Sequence, residues 1–142
     1  MKNLTLILLA LVLMNCSSDD SSSEEEQFIP EATLLGRWVL QGFEDNIRYE
    51  FTNDGKRFAI YGIDGVFPTL EEFNQENPQL TGLDWYYEDD IVVVDLNFGN
   101  YSRQTPQFVC QNEVIQWLDE DGELAGIYFR ENVDISSCEA VQ

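Results

Sequence analysis

The chain contains no histidine, the side chain that most often gives or takes a proton near neutral pH. That absence excludes a Ser-His-Asp or Cys-His catalytic arrangement. Three cysteines without histidine are also too few for the usual Cys-rich zinc site, and no glycine-rich phosphate-binding loop is present. The sequence therefore predicts a protein that is not an enzyme, with no catalytic residues, no metal and no cofactor.

Basic residues are scarce as well. Seven Lys and Arg stand against 27 Asp and Glu in 142 residues, a formal net charge of −20. Nucleic-acid binding needs a cationic face that displaces counterions, and here the few basic residues are scattered. We therefore expect no nucleic-acid partner, whereas a cationic protein suits such a charge.

No apolar run is long enough to cross a bilayer, which needs about 20 residues. The longest, Leu4–Met14, has eleven residues, follows Lys2 and precedes Cys16. That order is typical of a secretory signal. The alternatives are an ordinary signal with Cys16 merely nearby, or a short amphipathic N-terminus.

The segment Leu13-Met14-Asn15-Cys16 resembles the lipobox of bacterial lipoproteins. The resemblance implies a signal peptide over residues 1–15, removed in the mature protein, and a Cys16 that carries acyl chains such as palmitate. The protein would then be exported and anchored by lipid to the bacterial outer membrane or cell surface. Asn15 is larger than the residue that usually precedes the lipobox cysteine.

Residues 16–31 are acidic and serine-rich, so they cannot bury enough apolar surface to fold. We interpret them as a flexible tether, and residues 32–142 as one folded domain. The run Ser17–Glu26 is similar to the acidic export tag of some surface lipoproteins; a solvated spacer is the alternative.

With Cys16 lipidated, Cys110 and Cys138 remain as a pair in an oxidising compartment. A disulfide between them would stabilise the domain by roughly 3–4 kcal/mol on the chain-entropy model. Two separate free thiols are the alternative.

Short runs of β-branched, aromatic and alternating residues recur between Asn/Asp/Gly turns and predict an all-β fold, an antiparallel eight-stranded up-and-down meander barrel. In the second and third runs we expect Phe58 and Ile60 to continue the apolar face of Tyr49 and Phe51. Pro106 implies an edge position, a bulge or two shorter strands. The predicted strands are Leu34–Phe43, Ile47–Asn53, Arg57–Gly62, Leu83–Glu88, Ile91–Asn97, Tyr101–Cys110, Glu113–Leu118 and Glu123–Arg130.

One short helix is predicted between strands 3 and 4. Thr69 and Glu72 have the spacing of a capping box, and Pro78 follows the helix. The whole connection, Ile63–Thr81, is long enough to be a lid over a binding site, or a plug that only packs.

Gly36-Arg37-Trp38 at the start of the first strand resembles the Gly-x-Trp signature of lipocalins, in a form closest to the short lipocalin-like domains of bacterial lipoproteins. In that family the glycine allows a sharp bend, the tryptophan closes the barrel floor, and an arginine late in the last strand stacks on it. Arg130 stands in the matching position. The resemblance implies a lipocalin-like barrel with a cation–π contact between Arg130 and Trp38.

An eight-stranded barrel has room for side chains or for one small ligand. The alternative to a ligand cavity is a filled aromatic core. The residues that could line a cavity are Phe51, Phe58, Trp85, Tyr87, Val93 and Tyr128.

These observations favour non-catalytic binding of a small, partly apolar ligand in the barrel. A protein-interaction module that uses the acidic surface, as an accessory subunit or an inhibitor of a cationic exported protein, is the alternative. The acidic turn Asp119–Glu123 could supply calcium ligands, but a solvated hairpin turn explains it better.

Overall fold

A computed structural model of the protein describes residues 31–141. The predicted signal peptide, Cys16 and nearly all of the predicted tether lie outside the described residues. The strands and the helix are β1 (Gly36–Leu40), β2 (Ile47–Phe51), β3 (Lys56–Tyr61), α1 (Leu70–Glu76), β4 (Leu83–Glu88), β5 (Ile91–Asp95), β6 (Tyr101–Val109), β7 (Val114–Leu118) and β8 (Leu124–Arg130).

The eight strands form a closed antiparallel barrel in which each strand pairs with its neighbour in sequence and β8 pairs with β1. This confirms the predicted fold class, including the helix between strands 3 and 4. Closure leaves no free sheet edge, so the backbone N–H and C=O groups of the first and last strands of the meander pair with each other.

Helix α1 begins where its sequence predicts. The Thr69 hydroxyl accepts a hydrogen bond from the Glu72 backbone N–H, and the Glu72 carboxylate accepts one from the Thr69 N–H. These two bonds complete the capping box. Phe73 is the buried residue of the helix.

Pro106 lies in the middle of a continuous β6. The pairing of β6 with β5 ends at Gln104 opposite Val92, while Pro106 pairs with Trp117 of β7. Pro106 therefore sits beyond β5, where its missing N–H costs no bond to that strand, although β6 has no free edge in the closed barrel.

The barrel has two different ends. At one end, which we name the closed end, β1 begins, β8 finishes, and the turns between β2 and β3, β4 and β5, and β6 and β7 lie together. At the opposite end, the open end, lie the connection that holds α1 and the remaining turns. Leu34 and Trp38, almost fully buried, cover the core at the closed end.

The chain after β8 folds back over the outside of the barrel as two one-turn 3-10 helices, Ile135–Ser137 and Glu139–Val141. Cys138 is joined to Cys110 by a disulfide with Cα atoms 5.8 Å apart, as the sequence predicted. The tail buries Val114 at the start of β7, and the Gln116 side chain donates to the Ala140 carbonyl at 2.6 Å. Both ends of this tail are therefore held to the barrel wall.

Candidate functional site

The centre of the barrel is occupied by aromatic rings in contact with one another. The ring of Tyr128 stacks on Tyr49 at 5.2 Å between centroids and meets Trp117 at 5.6 Å. Phe51 contacts Trp85 at 5.4 Å and Trp117 at 6.4 Å. Of the residues predicted to line a cavity, Phe51, Trp85 and Tyr128 therefore belong to this packed interior cluster.

Two of the residues predicted to line the barrel lie on its outer face instead. Phe58 stands opposite Glu50 in the pairing of β2 with β3, and it packs under α1 against Phe73. Val93 stands opposite Tyr86 and Arg103, one residue out of step with the interior Val92 and Val94. Both are buried, so apolar character alone did not reveal which face they occupy.

The register of the β2–β3 hairpin is the reason for the first correction. A two-residue turn at Asp54-Gly55 would place Phe58 opposite Phe51, but the observed turn has three residues, and Phe51 stands opposite Arg57. Gly55 adopts φ +77°, the left-handed conformation that such a turn requires. One extra turn residue exchanges the two faces of β3, so Arg57 and Ala59 point inward.

Tyr87, the sixth predicted residue, shares the inner face with Trp85 and contacts its ring at 5.9 Å. It remains 46% exposed near the β4–β5 turn. Burial raises the pKa of its hydroxyl. Tyr86 faces outward beside Glu88 and Arg103 and is 43% exposed.

A cavity of about 310 Å³ opens where β3 and β4 diverge. These strands pair through only two residue pairs, Lys56 with Asp84 and Arg57 with Leu83, so the barrel wall separates above them. We name this region the seam and the space the seam cavity. It is lined by Arg57, Phe58, Ala59, Phe73, Gln79, Leu80, Thr81, Gly82, Leu83 and Asn97.

Gly82 helps to shape the seam cavity because it lets the connection pass close to Phe58. A Cβ at this position would stand 3.0 Å from the Phe58 ring, and the backbone φ is +69°. A side chain there would push the Phe58 ring or the strand away. Of the six predicted lining residues, Phe58 is the one that lines this cavity, and it does so from beneath the helix.

A second, wider hollow of about 610 Å³ adjoins the first and shares Ala59, Phe73 and Leu80 with it. Tyr61, Ile63, Val66 and Leu80 line it and are each at least half exposed. Glu72 and Glu76 of α1 add negative charge to its rim. We name it the outer groove.

Arg57 is the functional candidate that the sequence reading missed. Its guanidinium carbon lies 4.9 Å from the centroid of the Tyr49 ring, and its Nε is buried without a hydrogen bond to any described residue. The length of the turn before β3 could have revealed Arg57, because it determines whether Arg57 or Phe58 lies on the inner face of the strand.

Tyr128 is the most perturbed titratable group near this site. Burial raises the pKa of its hydroxyl, the neighbouring Tyr49 adds to the effect, and the cationic Arg57 acts in the opposite direction. The hydroxyl therefore stays protonated at physiological pH.

The closed end holds the residues of the lipocalin resemblance. Arg130 stands opposite Trp38 in the pairing of β8 with β1, and its guanidinium carbon lies 4.0 Å from the Trp38 ring centroid. Its two terminal nitrogens donate to the carbonyls of Leu35 and Thr33 at 2.5 and 2.9 Å. The predicted cation–π contact is therefore present.

Gly36 makes this contact possible. Its φ is +101°, and a Cβ there would stand 2.9 Å from the Arg130 guanidinium. The sharp bend at Gly36, which the resemblance implies, therefore leaves the space that the Arg130 guanidinium occupies.

Within residues 31–141, no helix has the length and apolar character needed to cross a membrane. In the same part of the chain, no three Cys, Asp or Glu side chains converge as a metal site would require. Comparison with known proteins found no matching family model, no matching curated protein and no matching solved structure.

Proposed function

We propose that this protein is an exported lipoprotein whose barrel binds a small, partly apolar molecule without chemical conversion. The observation that carries the binding proposal is the seam cavity. Its volume of about 310 Å³ is at the lower end of the range for small-molecule sites, which usually combine apolar walls with a few polar groups.

The walls of the seam cavity have that composition. Phe58, Phe73, Leu80 and Leu83 supply apolar surface, and a few polar side chains stand among them. The connection that holds α1 forms one wall, as a lid over a binding site would. The polar lining residues are Arg57, Gln79, Thr81 and Asn97.

A filled cavity tests the proposal. Ala59 lies on the inner face of β3 and lines the seam cavity, so Ala59→Trp should occupy the space. We expect the full-length protein to bind the neutral fluorophore N-phenyl-1-naphthylamine, and the variant to lose that binding at least tenfold. Ala125→Trp places the same ring on an exposed position of β8 and should leave binding unchanged.

The result would contradict the proposal if both variants bound the fluorophore like the unmodified protein. Circular dichroism of each variant, compared with that of the unmodified protein, checks that the barrel is retained.

The lipid anchor is tested separately. Cys16→Ser should move the protein from the membrane fraction to the soluble fraction of the cells that express it, because the acceptor of the acyl chains is removed. Ser17→Ala is the neighbouring control. An unchanged membrane fraction in Cys16→Ser would argue against anchoring at this residue.

The outer groove favours a second candidate function, the binding of another protein. Exposed Tyr61, Ile63 and Val66 together with two carboxylates suit a partner segment that is cationic and partly apolar. Ile63→Ser with Val66→Ser should weaken such a complex while leaving the binding of N-phenyl-1-naphthylamine unchanged. A complex unaffected by this double change would exclude the outer groove as its site.

A further inference from the structure

We propose that the ligand of the seam cavity is a small amphipathic carboxylate, whose anionic group is bound by Arg57 and whose apolar body lies on the cavity wall. This inference rests on the proposed function of the seam cavity. It assigns to Arg57 the role of the residue that selects an anion.

Arg57 lies where the barrel interior meets the seam cavity. It stands opposite Phe51 of β2 and Leu83 of β4, both of which pack in the interior. It also lines the seam cavity. A molecule that enters the cavity therefore meets Arg57, the one basic residue of its lining.

Arg57 differs from every other basic residue that the structure describes. Arg37, Arg48, Lys56 and Arg103 each form an ion pair with a carboxylate, and Arg130 donates to two backbone carbonyls. Arg57 has neither kind of partner within residues 31–141; its one contact of this type is with the face of the Tyr49 ring. In a chain with 27 acidic residues, an unpaired inward arginine is not explained by a shortage of carboxylates.

The aromatic cluster around Arg57 adds further hydrogen-bond donors without partners. The indole nitrogens of Trp85 and Trp117 are buried and, among the described residues, make no hydrogen bond. Trp117 is 3% exposed. The rings of both tryptophans contact Phe51, which stands opposite Arg57.

All of these unsatisfied atoms are donors, since an indole and a guanidinium can donate hydrogen bonds but cannot accept them. A buried donor without a partner is costly, and the Nε of the half-buried Arg57 is such a donor. A ligand that supplied only apolar surface would leave that cost in place. A ligand in the seam cavity with an acceptor oxygen, above all an ionised one, would remove the part of that cost that Arg57 carries, since neither tryptophan lines the cavity.

The anion should carry a single charge. The chain has a formal net charge of −20, which disfavours the approach of polyanions such as phosphate esters. A carboxylate presents two oxygens in one plane, which match the planar fork of a guanidinium. Its apolar body can then face Leu83, Leu80 and Phe73.

The test compares two probes of equal chain length, octanoate and 1-octanol, by isothermal titration calorimetry with the full-length protein. We expect octanoate to bind at least tenfold more tightly than 1-octanol. Arg57→Gln should reduce the affinity for octanoate tenfold to a hundredfold, to about the affinity for 1-octanol. The affinity for 1-octanol itself should be unchanged. Arg57→Lys keeps the positive charge but loses the planar guanidinium, so it should retain part of the preference for octanoate over 1-octanol.

Arg103→Gln is the matched control, because it changes the net charge by the same amount at an exposed ion pair. It should leave both affinities unchanged. A loss of octanoate affinity in both variants would show that the overall charge, and not Arg57, is responsible. Octyl phosphate should bind less tightly than octanoate, and acetate alone should not compete; strong competition by acetate would indicate a site for adventitious anions only.

The outcomes separate the two proposals. Equal binding of octanoate and 1-octanol, unaffected by Arg57→Gln, would overturn the anion inference and keep the proposed function. If neither probe bound, and N-phenyl-1-naphthylamine did not bind either, the seam cavity would not be a ligand site and both proposals would fall. Thermal unfolding of Arg57→Gln within about 5 °C of the unmodified protein would show that the variant is folded.

Discussion

Two arginines inside this barrel lie over aromatic rings, and their surroundings differ. At the closed end, Arg130 covers Trp38 and both of its terminal nitrogens donate to backbone carbonyls. At the seam, Arg57 covers Tyr49 and has no hydrogen-bond acceptor within the described chain. Arg130 therefore stabilises the closed end through its hydrogen bonds, whereas Arg57 has donors without acceptors beside the seam cavity.

This difference follows from what the backbone does at each place. Residues 33–35 cross the closed end and bring two carbonyl groups to Arg130. At the seam, β3 and β4 pair through only two residue pairs and then separate, and no backbone carbonyl of residues 31–141 accepts a hydrogen bond from the Arg57 side chain. The comparison teaches that a stacked cation in a barrel must be judged by its hydrogen bonds, because the cation–π contact alone is common to both sites.

The largest expected effect comes from Trp38, which is fully buried and donates its indole N–H to the Leu34 carbonyl at 2.7 Å. Trp38→Ala should lower the free energy of unfolding by about 3–5 kcal/mol, because it leaves a large cavity and an unpaired carbonyl. Trp85→Ala should cost about half as much, since Trp85 is only partly buried and its N–H is unpaired. Urea unfolding of both variants measures the difference. Equal losses of stability in Trp38→Ala and Trp85→Ala would mean that the closed end is no better packed than the seam.

Removal of the disulfide should have the next largest effect. The double change Cys110→Ser with Cys138→Ser should lower the free energy of unfolding by roughly 3–4 kcal/mol, because the tail is released from the outside of β7. The affinity for N-phenyl-1-naphthylamine should be unaffected, since no residue of the tail lines the seam cavity. A loss of binding in the folded variant would contradict this separation.

The two arginines themselves give a smaller and more direct contrast. Arg130→Leu should lower the free energy of unfolding by about 2–3 kcal/mol, because two carbonyls lose their donors and the contact with Trp38 is lost. Arg57→Leu should change it by less than about 1 kcal/mol or raise it, because an unpaired cation is replaced by an apolar group. Thermal and urea unfolding of the two variants in parallel measure this difference. A larger loss of stability in Arg57→Leu than in Arg130→Leu would reverse the interpretation of both sites.

The comparison of Gly36 with Gly42 has the smallest expected difference. Gly36→Ala should lower the free energy of unfolding by about 2 kcal/mol, since its positive φ is unfavourable for alanine and the new Cβ meets the Arg130 guanidinium at 2.9 Å. Gly42 has a φ of +83° with nothing within 4 Å of its added Cβ, so Gly42→Ala should cost only about 1 kcal/mol. An equal cost for both would mean that Arg130 moves aside freely.

Much of the fold could be predicted because its signals are local. The capping box at Thr69, the turn glycines and the alternation within each strand act over a few residues, and the structure has a helix, turns and strands at those places. The pair Cys110 and Cys138 could be found from the topology, because β6 and β8 finish at the same end of the barrel. Strand ends differ by a few residues; for example, β1 finishes at Leu40 rather than Phe43.

The candidate site could not be predicted in the same way, because faces and cavities depend on register. Phe58 and Val93 are as apolar as the interior residues, yet they face outward under a helix and under neighbouring side chains. Nothing in the local sequence distinguishes an apolar residue buried by the barrel from one buried by an added helix.

The sequence by itself determined the number and order of the strands, the single helix, the disulfide pair and the strong negative charge, because these depend on local patterns and on composition. Only the tertiary structure decided that Arg57 faces inward and that β3 and β4 separate beside it. A single residue in the turn before β3 sets which face of that strand is buried. Whether the buried Nε of Arg57 finds an acceptor depends on backbone that arrives from elsewhere in the chain.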